Sequence, residues 1–462
     1  DEIRNKYSAA EEINAAGKAI YPGFIDAHAH FFGYGQSLQT ADLRDTKSWE
    51  EVIQRLTDFA KTHPDGWLIG NGWDQNDWTD KSFPTNAKLT ALFPDRPVFL
   101  NRIDGHAAIA NQKALNDADI KGEQKLTGGD MLTKDGKLTG VLIDAQRNCF
   151  AAGLTTIDDC GLGFEAVDFI EKLQKENKLK MRLYVMLSDA EPNYNYLFKR
   201  GAIKTDRLNV RAFKVYADGA LGSRGACLLK PYTDMPEKSG FLLSDIKHYE
   251  EVAAKIASHN FQMCTHAIGD SANRVMLKIY NTVLKGKNDK RWRIEHAQVV
   301  NSDDFDLFGK ANIIPSVQPT HATSDMYWAG QRLGAQRLKD AYAYKQLLKQ
   351  NGWIPLGTDF PVENINPLLT FYAATVREDA KGFPKGGFQM KNALTPEEAI
   401  KGMTIWAAKA NFEEKEKGSL EVGKFADFVM LDADILKTTP QNILKTKVLK
   451  TYLNGEKVYE AK

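Results

Sequence analysis

The segment YPGFIDAHAH, residues 21–30, places His28 and His30 one residue apart behind an apolar run. On a strand, that alternation points both imidazoles to one side, where their ring nitrogens could bind a divalent cation. Alone, the pair is equally compatible with a polar strand end. The other polar residues change the balance. Lys214 and Asp218 come late in RAFKVYADG, His266 closes FQMCTHA, His296 ends RIEH and Asp359 ends LGTD. Of nine histidines, four therefore fall at the ends of strand-like runs, which scattered surface histidines would not do. Three imidazoles suit a zinc site, and four with a carboxylate leave room for two ions. Iron, manganese and nickel accept the same ligand types. Hydroxide bridging such cations is a nucleophile near neutral pH. Asp359 could bind one metal, accept the proton and return it to a leaving group.

Lys214 shares a strand face with Ala212 and Tyr216 on a run suited to burial. Burying an unpaired ammonium pushes its pKa down toward the neutral amine. A neutral amine can take up carbon dioxide and become a carbamate, an anionic two-oxygen bridge between cations. A lysine that snorkels to a rim or pairs with Asp218 is the reading that residue chemistry alone favours.

These residues need a scaffold that gathers strand ends. Eight apolar or β-branched runs recur at 19–30, 154–161, 182–189, 211–219, 261–267, 291–298, 311–319 and 353–361. Amphipathic stretches such as IKHYEEVAAKIASHN and SANRVMLKIYNTVLKG lie between them. The pattern predicts an α/β fold, a (β/α)8 TIM barrel with its active site at the C-terminal strand ends. A doubly wound open sheet would want a Gly-rich phosphate turn after an early strand, and the sequence has none. More than a hundred residues separate the first two runs, so an α/β insertion is expected at about 43–150 within a barrel of 21–415. It leaves the first strand at the active-site end, a position from which it could roof the site. Period-two alternation around Gly and Asn-Gly turns after residue 416 predicts antiparallel strands. Residues 416–462 and 1–20 are thus expected to form a small, incomplete β-sandwich.

The 462 residues carry a net charge of +1, with 43% hydrophobic and 26% charged. Such a balance points away from nucleic acid or an anionic membrane and toward a small-molecule partner. No apolar run reaches the roughly 20 residues that span a bilayer. Cys149, Cys160, Cys227 and Cys264 lack paired spacing, so neither a disulfide framework nor a zinc knuckle is indicated. The opening DEIRNKYSAAEEI has no initiating Met and no signal peptide, which points to a processed or shortened N-terminus. Compartment stays open, with the cytoplasm slightly favoured, and so does assembly into a homo-oligomer.

PGFIDAHAH, KVYADGALGSR, THAIGDSANR, RIEHAQ and LGTDFPV, in this order, resemble the amidohydrolase superfamily of metal-dependent hydrolases. The match is to its YtcJ-like branch, amidohydrolase family 3, which includes N-substituted formamide deformylases. LTPEEAIKGMTIWAAKANFEEKEKGSLEVGKFADFVMLDAD is similar to that branch's return into its β-sandwich. The resemblance implies that His28 and His30 hold the more buried metal and that His266 and His296 hold a second. Lys214, carbamylated, would bridge both, and the resemblance raises that reading above the snorkelling one. Asp359 would be acid/base and a ligand of the first metal. Zinc is the expected ion, with one or two retained. Family members carry further strands ahead of a segment like DEIRNKYSAAEEI, so the sandwich should be incomplete.

A second tier of residues has two readings each. In the resembling branch a "DGH" like that at His106 faces the site, so His106 could polarise a substrate carbonyl; otherwise it stabilises a loop. Trp73 and Asp74 line a pocket for an apolar amide, or belong to the insertion's core. Arg224 holds a substrate carboxylate or anchors its loop, and His321 contacts substrate or packs on the rim. Asp26, on the face of His28 and His30 but deeper, is expected to support those imidazoles. The expected activity is cleavage of a C–N, amide-like bond by metal-bound hydroxide with Asp359 as proton shuttle. An isomerase or esterase on the same barrel is the alternative, and a non-catalytic small-molecule-binding protein is more remote.

Overall fold

The structure, a computed structural model, describes residues 5–9, 12–103, 108–118 and 135–462. It divides into one compact unit of Asp1–His30 with Gln146–Lys462 and a second of Phe31–Ala145.

The first unit is built on a parallel sheet. Its strands are β1 (Phe24–Ala29), β2 (Leu154–Leu162), β3 (Arg182–Ser188), β4 (Leu208–Tyr216), β5 (Gln262–Ala267), β6 (Arg293–His296) and β7 (Ile314–Ser316). They pair in that order, all parallel. Helices Phe164–Lys175, Glu191–Arg200, Ile246–Ser258 and Asp270–Leu284 separate successive strands. Each buries an apolar stripe, as Val167, Ile170 and Leu173 do on the first and Val252, Ala253 and Ile256 on the third.

The eighth run closes the barrel without forming a regular ladder. Around 353–360 the only bridge among described residues is Val317 to Leu356. Pro355 has no N–H to give. Single hydrogen bonds on both sides still hold the segment. Gly357 N donates to Val317 O (3.0 Å), Ala27 N to Leu356 O (3.2 Å), Asp359 N to His28 O (2.7 Å) and His30 N to Phe360 O (2.9 Å). Gly357 allows this approach, because a Cβ there would lie 2.5 Å from His28 N and 2.9 Å from Asp26 Oδ1.

The run 19–30, read as one strand, serves two sheets. Ala19–Pro22 pairs antiparallel with Phe428–Leu431, and the chain passes through Gly23 into β1. Val448–Leu453 and Glu456–Glu460 complete a single four-stranded antiparallel sheet, one layer of the expected sandwich. Its hairpin turns on Asn454 and Gly455, both at positive φ (50° and 80°), the backbone that an Asn-Gly turn supplies. The sheet is locked to the barrel by a buried ion pair. Arg182 Nε lies 2.7 Å from Asp427 Oδ2 and Nη2 3.0 Å from Oδ1, with the guanidinium 3.9 Å over the Phe425 ring.

The second unit has its own sheet, ordered Ala41–Asp42, Leu68–Trp73, Val98–Arg102, Ala108–Ala110, parallel except for the last pair. Helix Trp49–Thr62, capped by the Ser48 hydroxyl, buries Val52, Ile53 and Leu56. Leu43, Leu68, Trp73, Val98 and Leu100 belong to the same core.

Removing Asp427 would leave a buried guanidinium without its partner. Asp427→Ala is therefore expected to destabilise the protein by about 3–5 kcal/mol, read as a lower urea midpoint. An unchanged midpoint would show that the pair does not lock the sheet.

Candidate metal centre

His28 lies inside β1, and His30 just beyond its end. His28 Nδ1 is 2.6 Å from Glu295 Oε2, and His30 Nδ1 is 3.0 Å from the Cys160 carbonyl. Both partners are acceptors, which assigns the ring hydrogens to Nδ1 and leaves a lone pair at each Nε2. Those nitrogens face Asp359 Oδ1, at 3.5 Å from His28 and 3.2 Å from His30. Three acceptor atoms directed at one point repel one another unless a cation lies between them. His28, His296 and Asp359 each offer a donor atom, all within 4.8 Å of one another.

The later strands add to the cluster. The His28 and His296 rings are 4.8 Å apart, and the His266 and His296 rings 4.6 Å. Lys214 Nζ, almost fully buried, stands 3.3 Å from His28 Nε2. The backbone is left-handed at His296 (φ 72°) and Asp359 (φ 66°), a strained conformation for residues other than glycine. Buried Asp359 Oδ1, His266 Nε2 and His296 Nδ1 have no hydrogen-bond partner. Orphaned buried polar atoms are rare in folded proteins. A divalent metal with imidazole and carboxylate ligands fits this donor set.

The electrostatics agree with neutral imidazoles. Burial lowers His28 to about 4 and, with Lys214 nearby, holds His266 and His296 below the ordinary histidine range as well. Burial alone would raise Asp359, but its contacts with the surrounding histidines, His30 and His321 first, outweigh it and hold the carboxyl well below its usual range. Lys214 departs from expectation. Burial pulls its ammonium down, yet Cys160, Tyr216, Glu295 and Asp359 together leave it raised rather than lowered. Pairing with Asp218 is excluded as its anchor. That carboxylate accepts from the amides of Cys227, Ile268 and Gly269 and ties two loops together.

Several second-tier readings change. Asp26 is buried, but its hydrogen bonds go to neither ring. It accepts from His28 N, Thr358 N and Thr358 Oγ1, pinning the eighth run to β1. His321 makes no rim contact through its nitrogens. Nε2 is 3.3 Å from Asp359 Oδ2 and Nδ1 3.0 Å from Glu363 Oε1, which leaves no ring nitrogen for a substrate. Trp73 is fully buried in the insertion's core and donates its indole N–H to Leu100 O, so it packs rather than lines a pocket. Asp74 pairs with Arg102. Arg224, at φ 62°, is bound to Asp234, which Arg332 also engages, and so anchors its loop. His106 lies outside the described residues. His63 and His259 stack on Phe59 and Phe198, and His248 pairs with Asp189, away from the cluster.

Three participants escaped the sequence reading: Glu295, Glu363 and Arg293. Glu295 and Arg293 both lie within RIEH, two residues apart and hence on one strand face. Charge on that face of an otherwise apolar strand was the available signal. Glu363 gave none beyond its place four residues after Asp359.

Comparison with known proteins agrees with this geometry. A family model described as the amidohydrolase family matches residues 11–459. YtcJ of Bacillus subtilis (strain 168) is 30% identical over all of this chain and 93% of its own length. An N-substituted formamide deformylase of Arthrobacter pascens is 23% identical, covering 98% of this chain and 90% of that protein. Among solved structures, an uncharacterized metal-dependent hydrolase of Pyrococcus horikoshii OT3 superposes with a TM-score of 0.80. It is 29% identical and covers 93% of this chain and 89% of that one.

A ligand that binds only the folded state raises the melting temperature. Adding a divalent transition metal to metal-stripped protein should raise Tm, and His296→Ala should largely remove the shift. An equal shift in both proteins would take His296 out of the centre.

Proposed function

The chain belongs to the amidohydrolase family and is a metal-dependent hydrolase; from that premise we propose that it cleaves a C–N bond of an amide-like small molecule. The observation that carries the reading is the set of unpartnered buried donors, Asp359 Oδ1, His266 Nε2 and His296 Nδ1, at the C-terminal ends of barrel strands. His28, His30 and Asp359 would hold one ion, His266 and His296 a second, with zinc the metal and Lys214, as the carbamate formed with carbon dioxide, between them. When bound, the metal polarises a carbonyl and lowers the pKa of water.

The chain's own residues handle the proton. Asp359 has Oδ2 held by His321 and Oδ1 turned toward His28 and His30. Its carboxylate takes the proton of the attacking water at Oδ1 and delivers it to the departing nitrogen, so that amide and water become acid and amine. His28 and His30 donate Nδ1–H to Glu295 and the Cys160 carbonyl, which turns Nε2 of each ring toward the centre. The family relationship to an N-substituted formamide deformylase supports an amide over an ester.

A panel of N-acyl, N-formyl, cyclic amide and ester compounds should show turnover of amides. Turnover of esters alone would contradict the C–N assignment. Asp359→Asn should lose about 10²–10⁴-fold in kcat while bound metal, measured by elemental analysis, persists. Full activity in that variant would remove Asp359 from proton transfer.

A further inference from the structure

Inside the barrel, below the imidazole cluster, lies a polar chain that the hydrolytic reading does not use. Asn411 Nδ2 donates to Asp158 Oδ1 at 2.6 Å, and Arg293 Nη1 donates to Asp158 Oδ2 at 2.9 Å. Arg293 Nε then lies 2.6 Å from Glu295 Oε1, and Glu295 Oε2 is 2.6 Å from His28 Nδ1. Arg293 is further fixed by the Ala27 carbonyl and by Ser316 Oγ at 3.0 Å. Asp158, Arg293, Glu295 and His28 are each 0% exposed.

A merely structural role explains this chain poorly. Buried ion pairs recover little or none of their desolvation cost, and well-packed apolar side chains would serve stability as well or better. The chain has a direction, however. It starts at a neutral amide, alternates in charge, and ends on one nitrogen of one ring. An acceptor at Nδ1 fixes which nitrogen carries the hydrogen, and it fixes the plane of the ring. The other nitrogen, Nε2, is the one 3.5 Å from Asp359 Oδ1 and 3.3 Å from Lys214 Nζ. Arg293 in turn sets its charge against both oxygens of Glu295, Nε 2.6 Å from Oε1 and Nη2 3.4 Å from Oε2, which favours the orientation the carboxylate presents to the ring.

We propose that Glu295, clamped by Arg293, is a positioning residue that fixes His28 as its Nδ1–H tautomer and thereby sets the metal affinity of the centre. The proposal rests on the metal-centre reading above. Its partner in the chain, Arg293, acts only through Glu295 and does not touch the reacting atoms.

The test has two arms. In metal-free wild-type protein labelled with 15N-histidine, the His28 signals, assigned through a His28→Gln variant, should show a protonated Nδ1 and an unprotonated Nε2. A hydrogen on Nε2 would overturn the proposal, and this arm needs no change at Glu295. In the second arm, zinc affinity is measured by chelator competition in wild type and in Glu295→Gln, which keeps the side-chain volume. The variant should bind about 10–100-fold more weakly, with a mixed His28 tautomer. Equal zinc affinity in the two proteins would overturn the proposal. Wild-type protein that binds no divalent metal would instead overturn the metal-centre reading, a separate result.

Discussion

The site depends on how closely the eighth run approaches β1. Gly357 packs where a side chain would meet His28 N at 2.5 Å. That contact brings Asp359, on the last run, to the Nε2 atoms of His28 and His30, on the first. Asp26 strengthens it by accepting two bonds from Thr358 and one from His28 N. The ends of a parallel barrel lie far apart in sequence, so the closure alone makes neighbours of residues more than three hundred positions distant. The segment is built from Pro355, Gly357 and a left-handed Asp359, none of which suits a regular strand. Ladder hydrogen bonds are given up at this seam, and the carboxylate is placed in return.

Electrostatics makes the second constraint. A core that buries His28, His296, Lys214 and Asp359 together, with His266 beside them, lacks the water that would solvate them. Burial keeps the rings neutral, and neutral rings offer lone pairs. Asp359 stays ionised because His30 and His321 engage it. Neutral imidazoles gathered around one anionic oxygen suit a cation, and the Lys214 ammonium, 3.3 Å from His28 Nε2, already sets one positive charge at their edge. The polar chain through Arg293 and Glu295 belongs to the same logic, since it orders a ring from below without exposing it.

Much of this could be read from the residues. Strand-ending polar residues located His28, His30, Lys214, His266, His296 and Asp359, because β/α units repeat a local pattern and their C-terminal ends coincide. The parallel barrel and the Asn454-Gly455 hairpin were legible for the same reason, as periodicity and turn chemistry are local. What was not legible depends on side-chain partners remote in sequence. Trp73 and Asp74 looked suited to a pocket, yet the partners Leu100 and Arg102 lie on the neighbouring strand. His321 looked like a rim residue until Glu363 and Asp359 took both nitrogens. Lys214 was expected to lose its proton on burial, but the groups that offset burial, Cys160, Tyr216, Glu295 and Asp359, come together only in the fold. The run 19–30 hid its break because Gly23 joins two strands with no change in hydrophobicity.

The central claim is that a cation belongs among buried imidazoles and Asp359. Anomalous diffraction at the zinc edge, from crystals of protein loaded with zinc and washed free of excess, tests it most directly. The expected result is a peak within bonding distance of Asp359 and His28 or His296. Zinc bound only elsewhere on the protein, or no peak at all, would contradict it.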